Sequence, residues 1–398
     1  MKVLLKAFKT EIAPTREQKE KIISSIGIAR FLYNQYIAYN KKMYRMYQRG
    51  LLDNHQKHFV SANDFDKYVN HKLKIELPWI NECGSKACKK ALVNAEAAFK
   101  EFFNGLAGFP RFKKKSNHDV KLYFPKNNKG DWTIWRHKLM VPTLKKVRLK
   151  EFGYLPVGAV VISGTVSSVA GRFYVSVVVN IDEKSKHNKD LETSYRTPTD
   201  GIGIDLGIKD LAVVSDGRKF KNINKSSKVK RLRREQRRLS RKYESKKKKG
   251  GKIATVSANI EKQKLKVQKL HQRTRHIRED YENKVIHEII KQKPRFITVE
   301  DLNVKGMMKN KHLAKAVAAQ RFNHLLVKLK RKAEIIGIEC RVVDRFYPSS
   351  KTCHCCGHIH KGLKLKDRVY ACPACGYKEG RDFNASLNLR DAKKYRVA

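Results

Sequence analysis

Acidic residues are scarce in this chain of 398 residues. It holds 37 Asp and Glu against 89 Lys and Arg, which leaves a formal net charge of +52 at pH 7. A chain with this imbalance repels itself unless a polyanion lies nearby, and nucleic acid is the polyanion that fits best. The hydrophobic share of 41% excludes a disordered tail and is enough to give two or three domains a core each.

Long apolar runs are missing as well. No stretch of the sequence is apolar for long enough to cross a bilayer, and Met1–Lys6 is too short and too soon interrupted to be a signal peptide. There is no internal repeat. We therefore expect a cytoplasmic protein without a membrane partner. Charge alone leaves a ribosomal-type binding protein and an enzyme equally open, so the motifs have to decide between them.

Cysteine is used eight times, and four of these residues form two Cys-x-x-Cys-Gly motifs with fifteen residues between them. In a large chain this spacing favours zinc over disulfides and implies a reducing compartment. Four thiolates suit tetrahedral Zn²⁺, and the glycine after each pair permits the sharp turn around the metal. We expect a structural zinc ion, because four protein ligands leave no open position for substrate. The predicted ligands are Cys353, Cys356, Cys372 and Cys375.

The remaining cysteines are given no metal role. Using Cys355 in the first motif would leave a one-residue spacer and lose the glycine placement that both motifs share. Cys83, Cys88 and Cys340 stand alone in the sequence, and we expect them to be ordinary buried residues.

The first 182 residues predict two kinds of structure. A strand over Val3–Ile12 is followed by Thr15 and Gln18, which can form a capping box and begin a helix. Helical spacing recurs over Lys86–Phe103, so residues 15–107 are predicted to be helical. After residue 108 short β-like runs take over, and the polar residues 182–199 are predicted to be a linker.

The second half predicts a sheet and a helical hairpin. Ile202–Gly217 predicts two strands joined by a tight turn, and two long helical patterns meet near residues 246–251. Between residues 228 and 249 there are thirteen Lys or Arg and two Glu, which favours a phosphate-contacting surface over a merely solvated helix face. Phe296–Val299 and Val342–Phe346 predict two further strands, and Leu313–Ile336 predicts one further helix.

Three acids occupy positions at strands or at a helix start where a carboxylate can have a structural or a catalytic role. Asp205 lies inside an apolar strand, Glu300 ends another, and Asp382 stands at the head of a helix. Singly they can be a turn acceptor, a surface acid and a helix-start charge. Brought together, they would repel one another without a metal, and they could hold two Mg²⁺ ions about 3.5 to 4 Å apart for phosphodiester cleavage.

At this point the sequence resembles the TnpB family, the insertion-sequence relatives of type V CRISPR effectors. The resemblance covers nearly the whole chain in order and is most specific from residue 200 onward. The blocks that carry it are Gly203–Lys209, Val299–Met307, the two cysteine motifs, Arg381–Ser386 and, less specifically, Gly108–Lys115. It implies that Asp205, Glu300 and Asp382 are the catalytic acids that bind Mg²⁺, with Mn²⁺ as an alternative, and that the four cysteines hold zinc.

The resemblance implies a multidomain α/β protein with an added β-rich module. Its expected parts are an RNase H-like RuvC nuclease core with a zinc ribbon insertion, a helical recognition domain and a β-barrel-like wedge domain. The predicted bounds are 1–14 and 108–182 for the wedge module, 15–107 for the recognition domain, 183–199 for the linker, 200–348 and 380–398 for the nuclease domain and 349–379 for the zinc ribbon.

The implied function is RNA-guided cleavage of double-stranded DNA for a transposable element of a bacterium or archaeon. The implied partners are a guide RNA from the element's end and a target DNA with a short adjacent motif, bound by a monomer in the ribonucleoprotein. Base pairing would read most of the sequence while the protein reads shape and phosphate. A non-catalytic RNA-guided repressor and a transposase are the alternatives. Tyr33, Tyr36, Tyr44 and Tyr47 could stack on bases, although packing in the helix core is favoured.

Overall fold

A computed structural model describes residues 4–51, 59–114, 121–125, 130–181, 200–248, 258–364 and 367–397. The chain divides into two compact units, Met1–Asn188 and Lys189–Ala398. The linker predicted at 183–199 lies outside the described residues. Within the described ranges, no helix combines the length and the apolar character that crossing a bilayer requires.

The helical part of the first unit begins where the capping box predicts. The backbone N–H of Gln18 donates to Thr15 Oγ1 at 3.2 Å, and the N–H of Thr15 donates to Gln18 Oε1 at 3.0 Å, so both free donors at the helix start are satisfied. The helices are α1 (Arg16–Gln48), α2 (Ala62–Tyr68), which continues through a π-helical turn (Val69–Leu73) into α3 (Lys74–Glu76), a 3₁₀ turn (Pro78–Glu82) and α4 (Ser85–Phe103).

Aromatic rings fill the core between these helices. Tyr36 is fully buried, its ring packs edge-on against Phe65 and Phe99, and its hydroxyl donates to the carbonyl of Val60 at 2.7 Å. Tyr33 is buried too, which confirms core packing for both tyrosines. Among the other two tyrosines, Tyr44 is half-buried against Phe102, Phe103 and Phe109, and Tyr47 is exposed.

A six-stranded antiparallel sheet forms the rest of the first unit. Its strands are β1 (Leu4–Ala13), β2 (Leu122–Pro125), β3 (Lys138–Val141), β4 (Lys145–Leu149), β5 (Val161–Val169) and β6 (Arg172–Ile181). The order β2-β5-β6-β1-β4-β3 places the first strand of the chain in the interior of the sheet. No pairing joins β2 to β3 within the described residues, so these strands form an open sheet and not a closed barrel.

The second unit has its own six-stranded sheet and a small ribbon. The strands are β7 (Ile202–Leu206), β8 (Asp210–Val214), β9 (Lys219–Lys221), β10 (Phe296–Glu300), β11 (Glu339–Val343), the ribbon strands β12 (Val369–Ala371) and β13 (Lys378–Gly380), and β14 (Arg396–Val397). The sheet order is β14-β11-β10-β7-β8-β9, and β10 runs parallel to both of its neighbours. The two strands predicted within Ile202–Gly217 are confirmed.

Six helices accompany this sheet. They are α5 (Ser227–Lys248), α6 (Ala258–Lys291), α7 (Val304–Met307), α8 (Ala314–Gln320), α9 (Phe322–Ile335) and α10 (Arg381–Arg390) among the described residues. Helices α5 and α6 form the predicted antiparallel hairpin, because Leu239 contacts Gln263 while the earlier Gln236 contacts the later His271. A 3₁₀ turn over Ile223–Lys225 leads into α5.

Two element predictions in this unit are wrong in detail. The helix expected over Leu313–Ile336 is broken at Arg321, whose φ of 57° is left-handed. This break lets the Arg321 guanidinium reach Glu279 at 3.3 Å and Glu282 at 3.5 Å. The strand expected over Val342–Phe346 is β11, which begins and ends earlier and stops where the chain turns.

Candidate active site and metal centre

Two of the three predicted acids lie on neighbouring strands. Strands β7 and β10 are parallel, with Val299 opposite Ile204, so the next pair along the strands is Glu300 and Asp205. Registered neighbours in parallel strands point to the same face of a sheet. The pairing therefore brings two carboxylates that are far apart in the sequence side by side.

The third acid reaches them through a close contact between α10 and β7. A Cβ atom added to Gly203 would lie 2.0 Å from the carbonyl oxygen of Ser386 and 2.4 Å from the backbone nitrogen of Arg390. Only glycine leaves room for the helix to lie directly on the strand backbone. Asp382 is in the first turn of this helix and comes near enough to act on the charge of Asp205.

Burial and mutual repulsion set the charge state of these acids. Burial, followed by the negative charges of Glu300 and Asp382, raises the pKa of Asp205 well above its usual range, and the charge of Arg381 opposes this only in part. Within the described residues no hydrogen-bond donor reaches the Asp205 carboxylate. Burial also raises the pKa of Glu300, against a hydrogen bond from Ser349. The cluster is thus short of positive charge.

The other two acids have fixed partners. Ser349 Oγ donates a hydrogen bond to Glu300 Oε1, and the Arg381 guanidinium lies 3.2 Å from Asp382. Ser349 is itself buried, and its carbonyl accepts a hydrogen bond from Asn388 Nδ2 at 2.8 Å. These contacts limit the rotation of both acids and tie them to α10.

Sequence reasoning missed Gly203, Ser349, Asn384 and Asn388 as contributors to this site. Asn384 Nδ2 and Asn388 Nδ2 donate to the carbonyl of Thr352 at 2.8 and 2.7 Å, and both asparagines are buried. A signal was available, since polar residues four apart in a short apolar helix lie on one face and need buried partners. For Ser349 the sequence carries no such signal.

The four predicted zinc ligands come together in one cluster. The sulfur atoms of Cys353, Cys356, Cys372 and Cys375 all lie within 4.8 Å of one another. The pairs Cys353–Cys375 and Cys356–Cys372 are 3.6 Å apart, close to the edge of about 3.8 Å of a tetrahedron with 2.3 Å bonds. Cys355 is exposed and does not belong to the cluster. The cluster can hold a metal ion.

Both cysteine turns have the same backbone geometry. The N–H of Gly357 donates to Cys353 O at 2.9 Å, and the N–H of Gly376 donates to Cys372 O at 3.1 Å. Their φ angles, 75° and 73°, lie in the left-handed region that glycine adopts without strain. The ribbon β12–β13 flanks the second turn. Local backbone structure thus orients the four sulfur atoms.

The three acids are spaced more widely than the cysteines. In the described part of the chain, the cysteine cluster alone brings three or more Cys, His, Asp or Glu ligand atoms within 4.8 Å of each other. Cys83, Cys88 and Cys340 are buried, as expected, and Cys88 Sγ donates to the carbonyl of Cys83 at 3.8 Å. The three acids therefore do not form one compact ligand set among the described residues, as the four cysteines do.

Three family profiles match parts of the chain. The profile described as "Probable transposase", of the IS605 OrfB proteins, matches residues 176–311, and "Cas12f1-like, TNB domain" matches residues 322–389. A third, described as "Helix-turn-helix domain" of the same OrfB proteins, matches residues 1–49, where the described residues form β1 and one unbroken helix. Asp205 and Glu300 fall within the first match, and Asp382 and the cysteine cluster fall within the second.

Proteins of similar length match along nearly the whole chain. One from Streptomyces pristinaespiralis, named "Putative RNA-guided DNA endonuclease", is 28% identical over 98% of this chain and 89% of its own. InsQ of Escherichia coli K12, which carries the same description, is 28% identical over 97% of this chain and 91% of its own. A solved Cas12f1–sgRNA–target DNA complex aligns over 98% of this chain and 100% of that one, with 16% identity and a TM-score of 0.37.

Proposed function

This chain belongs to the TnpB family, the OrfB proteins of IS605-type insertion sequences, and from this premise we propose that it is an RNA-guided DNA endonuclease of a transposable element. The observation that carries the proposal is the meeting of Asp205, Glu300 and Asp382 at the ends of two strands and one helix. The similar proteins are named for this activity along nearly their full length. The long basic hairpin supplies the charge that nucleic acid requires.

The acid cluster fits divalent metal ions. Carboxylate oxygens are the ligands that Mg²⁺ and Mn²⁺ prefer, and burial, which raises the pKa of both Asp205 and Glu300, disfavours their negative charge unless a cation lies nearby. Asp205, whose charge is affected by both Glu300 and Asp382, would hold such ions together with these two acids. When bound, such ions activate a water molecule and stabilise the leaving oxygen of a phosphodiester.

The chain's own residues hold this cluster in place. Ser349 orients the Glu300 carboxylate, Arg381 offsets the charge of Asp382, and Gly203 lets α10 approach the strand. Rigid strand ends and a packed helix keep catalytic groups in position better than loops do. The residues therefore bind and orient, and the reaction needs no covalent intermediate on the protein.

The strand order supports an RNase H-like, RuvC-type core. Three antiparallel strands, β7, β8 and β9, are followed by β10 and β11, which lie parallel to β7 on its other side. This arrangement places Asp205 at the centre of the sheet, beside the strand that carries Glu300. We take residues 200–348 and 380–398 as the nuclease domain and 349–379 as a zinc ribbon inserted in it.

The cysteine cluster is proposed to hold a structural zinc ion. Its four thiolates would supply all the ligands that a structural zinc ion takes, which would leave no position for substrate or water. The second turn leads through β13 directly into α10, which carries Asp382. Zinc would thus stabilise the segment that delivers the third acid.

Guide and target are the proposed partners. Guide RNA pairing would select the DNA, and the helical region 15–107 and the β modules 1–14 and 108–182 are proposed as recognition and wedge domains that grip both nucleic acids and read a short adjacent motif. We propose that one chain acts per ribonucleoprotein, in the cytoplasm, where its DNA substrate lies.

The test is cleavage of target DNA by the protein purified with its guide RNA. Asp205→Ala should abolish cleavage in Mg²⁺ and leave RNA binding intact, because the change removes a metal ligand and no RNA contact. The control is Asp216→Ala, which alters an exposed acid beyond the opposite end of β7 and should cut like the parent. Cleavage by Asp205→Ala would remove the residue from the active site.

One other candidate function has an observation in its favour. The profile that matches residues 176–311 carries the description of a transposase, and metal-bound carboxylates can support strand joining as well as hydrolysis. Sequencing the DNA ends and any joined products from the same assay separates the two reactions. A repressor without catalysis would bind the guided target and leave both strands whole.

A further inference from the structure

A strongly basic pocket lies between the α5–α6 hairpin and α8. Its volume is about 710 Å³, and six of its lining residues are Lys or Arg while none of the described lining residues is acidic. We call it the arginine pocket, and its cationic residues are Lys230, Arg233, Arg234, Arg237, Arg278 and Lys315. It lies apart from the acids and the cysteines described above, and its chemistry suits an anion.

Two arginines of the arginine pocket are held by a single buried oxygen. Arg233 Nη2 and Arg278 Nε both donate to Asn224 Oδ1, at 3.1 and 2.7 Å. Since a guanidinium only donates, these bonds fix which end of the Asn224 amide is oxygen. Within the described residues the other N–H groups of Arg233 and Arg278 have no protein acceptor. They can therefore donate to a bound anion.

The convergence of these arginines is unfavourable without an anion. Burial first, and then the charges of Arg233 and Arg321, lower the pKa of Arg278, and Glu282 compensates only in part. Arginine forks match phosphate oxygens in geometry, and arginines held in place lose less entropy on binding than free surface side chains. A bound phosphate group would thus neutralise positive charge in the arginine pocket that no acidic side chain of the described lining balances.

The amide that holds the arginines also connects to the active site. Asn224 Nδ2 donates to Gln320 Oε1 at 3.2 Å, and Gln320 Nε2 donates to the carbonyl of Gly207 at 2.9 Å. Gly207 follows Asp205 by two residues at the end of β7. Asn224 and Gln320 are both buried, so this relay is shielded from water.

We propose that the arginine pocket binds a phosphate of a nucleic-acid backbone, and that Asn224 and Gln320 are positioning residues that hold the pocket at a fixed place relative to Asp205. A strand bound in the pocket would then pass the acid cluster at a set distance. The positioning half of the proposal rests on the proposed function, whereas the binding half does not.

Binding is tested on the full chain with short fluorescein-labelled single strands of RNA and of DNA, titrated at several salt concentrations. The pocket variant is Arg233→Gln with Arg278→Gln. The control pair, Arg231→Gln with Arg238→Gln, removes the same charge from exposed positions of α5 that do not line the pocket. The plot of log affinity against log salt should become less steep in the pocket variant than in the control pair, by the amount that corresponds to about one lost phosphate contact.

A second variant guards against misfolding. Arg237→Gln with Lys315→Gln alters exposed lining residues, so the fold should persist while the slope falls in the same way. A fall with RNA alone identifies guide RNA as the source of the phosphate, and a fall with DNA alone identifies the target strand. If both pocket variants match the control pair with both strands, the pocket does not bind phosphate.

Positioning is tested with Gln320→Met. This substitution keeps the approximate shape of the side chain and removes the hydrogen bonds of the Gln320 amide to Asn224 and Gly207. The single-turnover cleavage rate should fall by about 10- to 100-fold, while affinity and salt slope stay at parental values. The rise in unfolding temperature on adding Mg²⁺ should also shrink, which is measurable even in a chain that does not cut. If Gln320 has only a structural role, the substitution should lower nucleic-acid binding and cleavage together. That result would overturn the positioning role. A cleavage rate and a Mg²⁺ response equal to those of the parent would overturn it as well.

Discussion

At the scale of single residues, a missing side chain and a buried carboxylate shape the candidate active site. Gly203 has no Cβ, so α10 lies on the backbone of β7. Asp205 is half-buried, and its raised pKa reflects both burial and the neighbouring acids. The first feature determines where Asp382 lies, and the second favours the binding of cations at the cluster.

Gly203→Ala should destabilise the protein. The new Cβ would meet the Ser386 carbonyl oxygen at 2.0 Å, and neither backbone can yield without moving α10. We expect the free energy of unfolding to fall by about 3 kcal/mol in urea titrations. Gly380→Ala is the control, because nothing lies within 4 Å of its added Cβ, and its cost should stay below about 1 kcal/mol. Equal costs would mean that the close contact with α10 is unimportant.

Asp205→Asn should stabilise the metal-free protein at neutral pH. Because the folded-state pKa of Asp205 is raised, its contribution to stability is fully present below the unfolded pKa of about 3.9 and is lost as pH rises through the folded value. The variant avoids that loss. Its unfolding temperature in chelator should exceed that of the parent by an amount that grows from acidic to neutral pH.

Added Mg²⁺ should reverse this order. The parent gains stability by binding the ion, and the variant, which lacks one ligand, gains less. Calorimetry with and without Mg²⁺ measures both effects. The contrary outcome is that Asp205→Asn is less stable than the parent in chelator at neutral pH. That outcome would show that a group of the protein stabilises the Asp205 carboxylate, so that no cation is needed.

At the scale of elements, α10 connects the cysteine cluster and the β12–β13 ribbon to the six-stranded sheet. Its buried Asn384 and Asn388 both bond to Thr352, next to the first cysteine turn, while its first turn carries Asp382. The N–H of Arg381 donates to Arg368 O at 2.9 Å, which joins the start of the helix to the ribbon. A structural change in the ribbon should therefore alter the position of Asp382 relative to the other two acids.

Cys356→Ser should remove zinc, and Cys355→Ser should not. Both cysteines are exposed and adjacent, but only Cys356 belongs to the cluster. We expect metal analysis of purified protein to give one zinc ion per chain for the parent and for Cys355→Ser, and little for Cys356→Ser, which should also unfold at lower temperature. Zinc retained by Cys356→Ser and lost by Cys355→Ser would reverse the ligand assignment.

At the scale of the whole molecule, net charge dominates. A net charge of +52 over 398 residues destabilises the folded chain through repulsion between its positive charges. A bound polyanion should reduce this repulsion. Within the second unit, α5 carries many of these basic residues.

Nucleic-acid affinity should therefore fall steeply with salt. For six to ten phosphate contacts, affinity should drop by about 10³- to 10⁵-fold between about 50 and 200 mM salt, because contacts with phosphate release counterions. Fluorescence anisotropy with a labelled strand measures the slope, and a strand with an uncharged methylphosphonate backbone is the control. A flat response with the natural strand would contradict a phosphate-binding surface.

Local patterns in the sequence determined the features that depend on near neighbours. The capping box at Thr15 and Gln18, the strands around Asp205 and the choice of Cys356 over Cys355 all follow from residues a few positions apart. Propensity, capping and ligand spacing act over that range, so they can be read without a fold. The resemblance to a known family added the proposed roles of the acids.

Only the tertiary structure decided which distant residues meet. The pairing of β7 with β10, the contact of α10 with Gly203, the break at Arg321 and the relay from Asn224 through Gln320 join segments remote in sequence. Packing selects such partners, because a buried amide or carboxylate is stable only where the complete fold supplies its donor, acceptor or counter-charge. No local pattern carries that information.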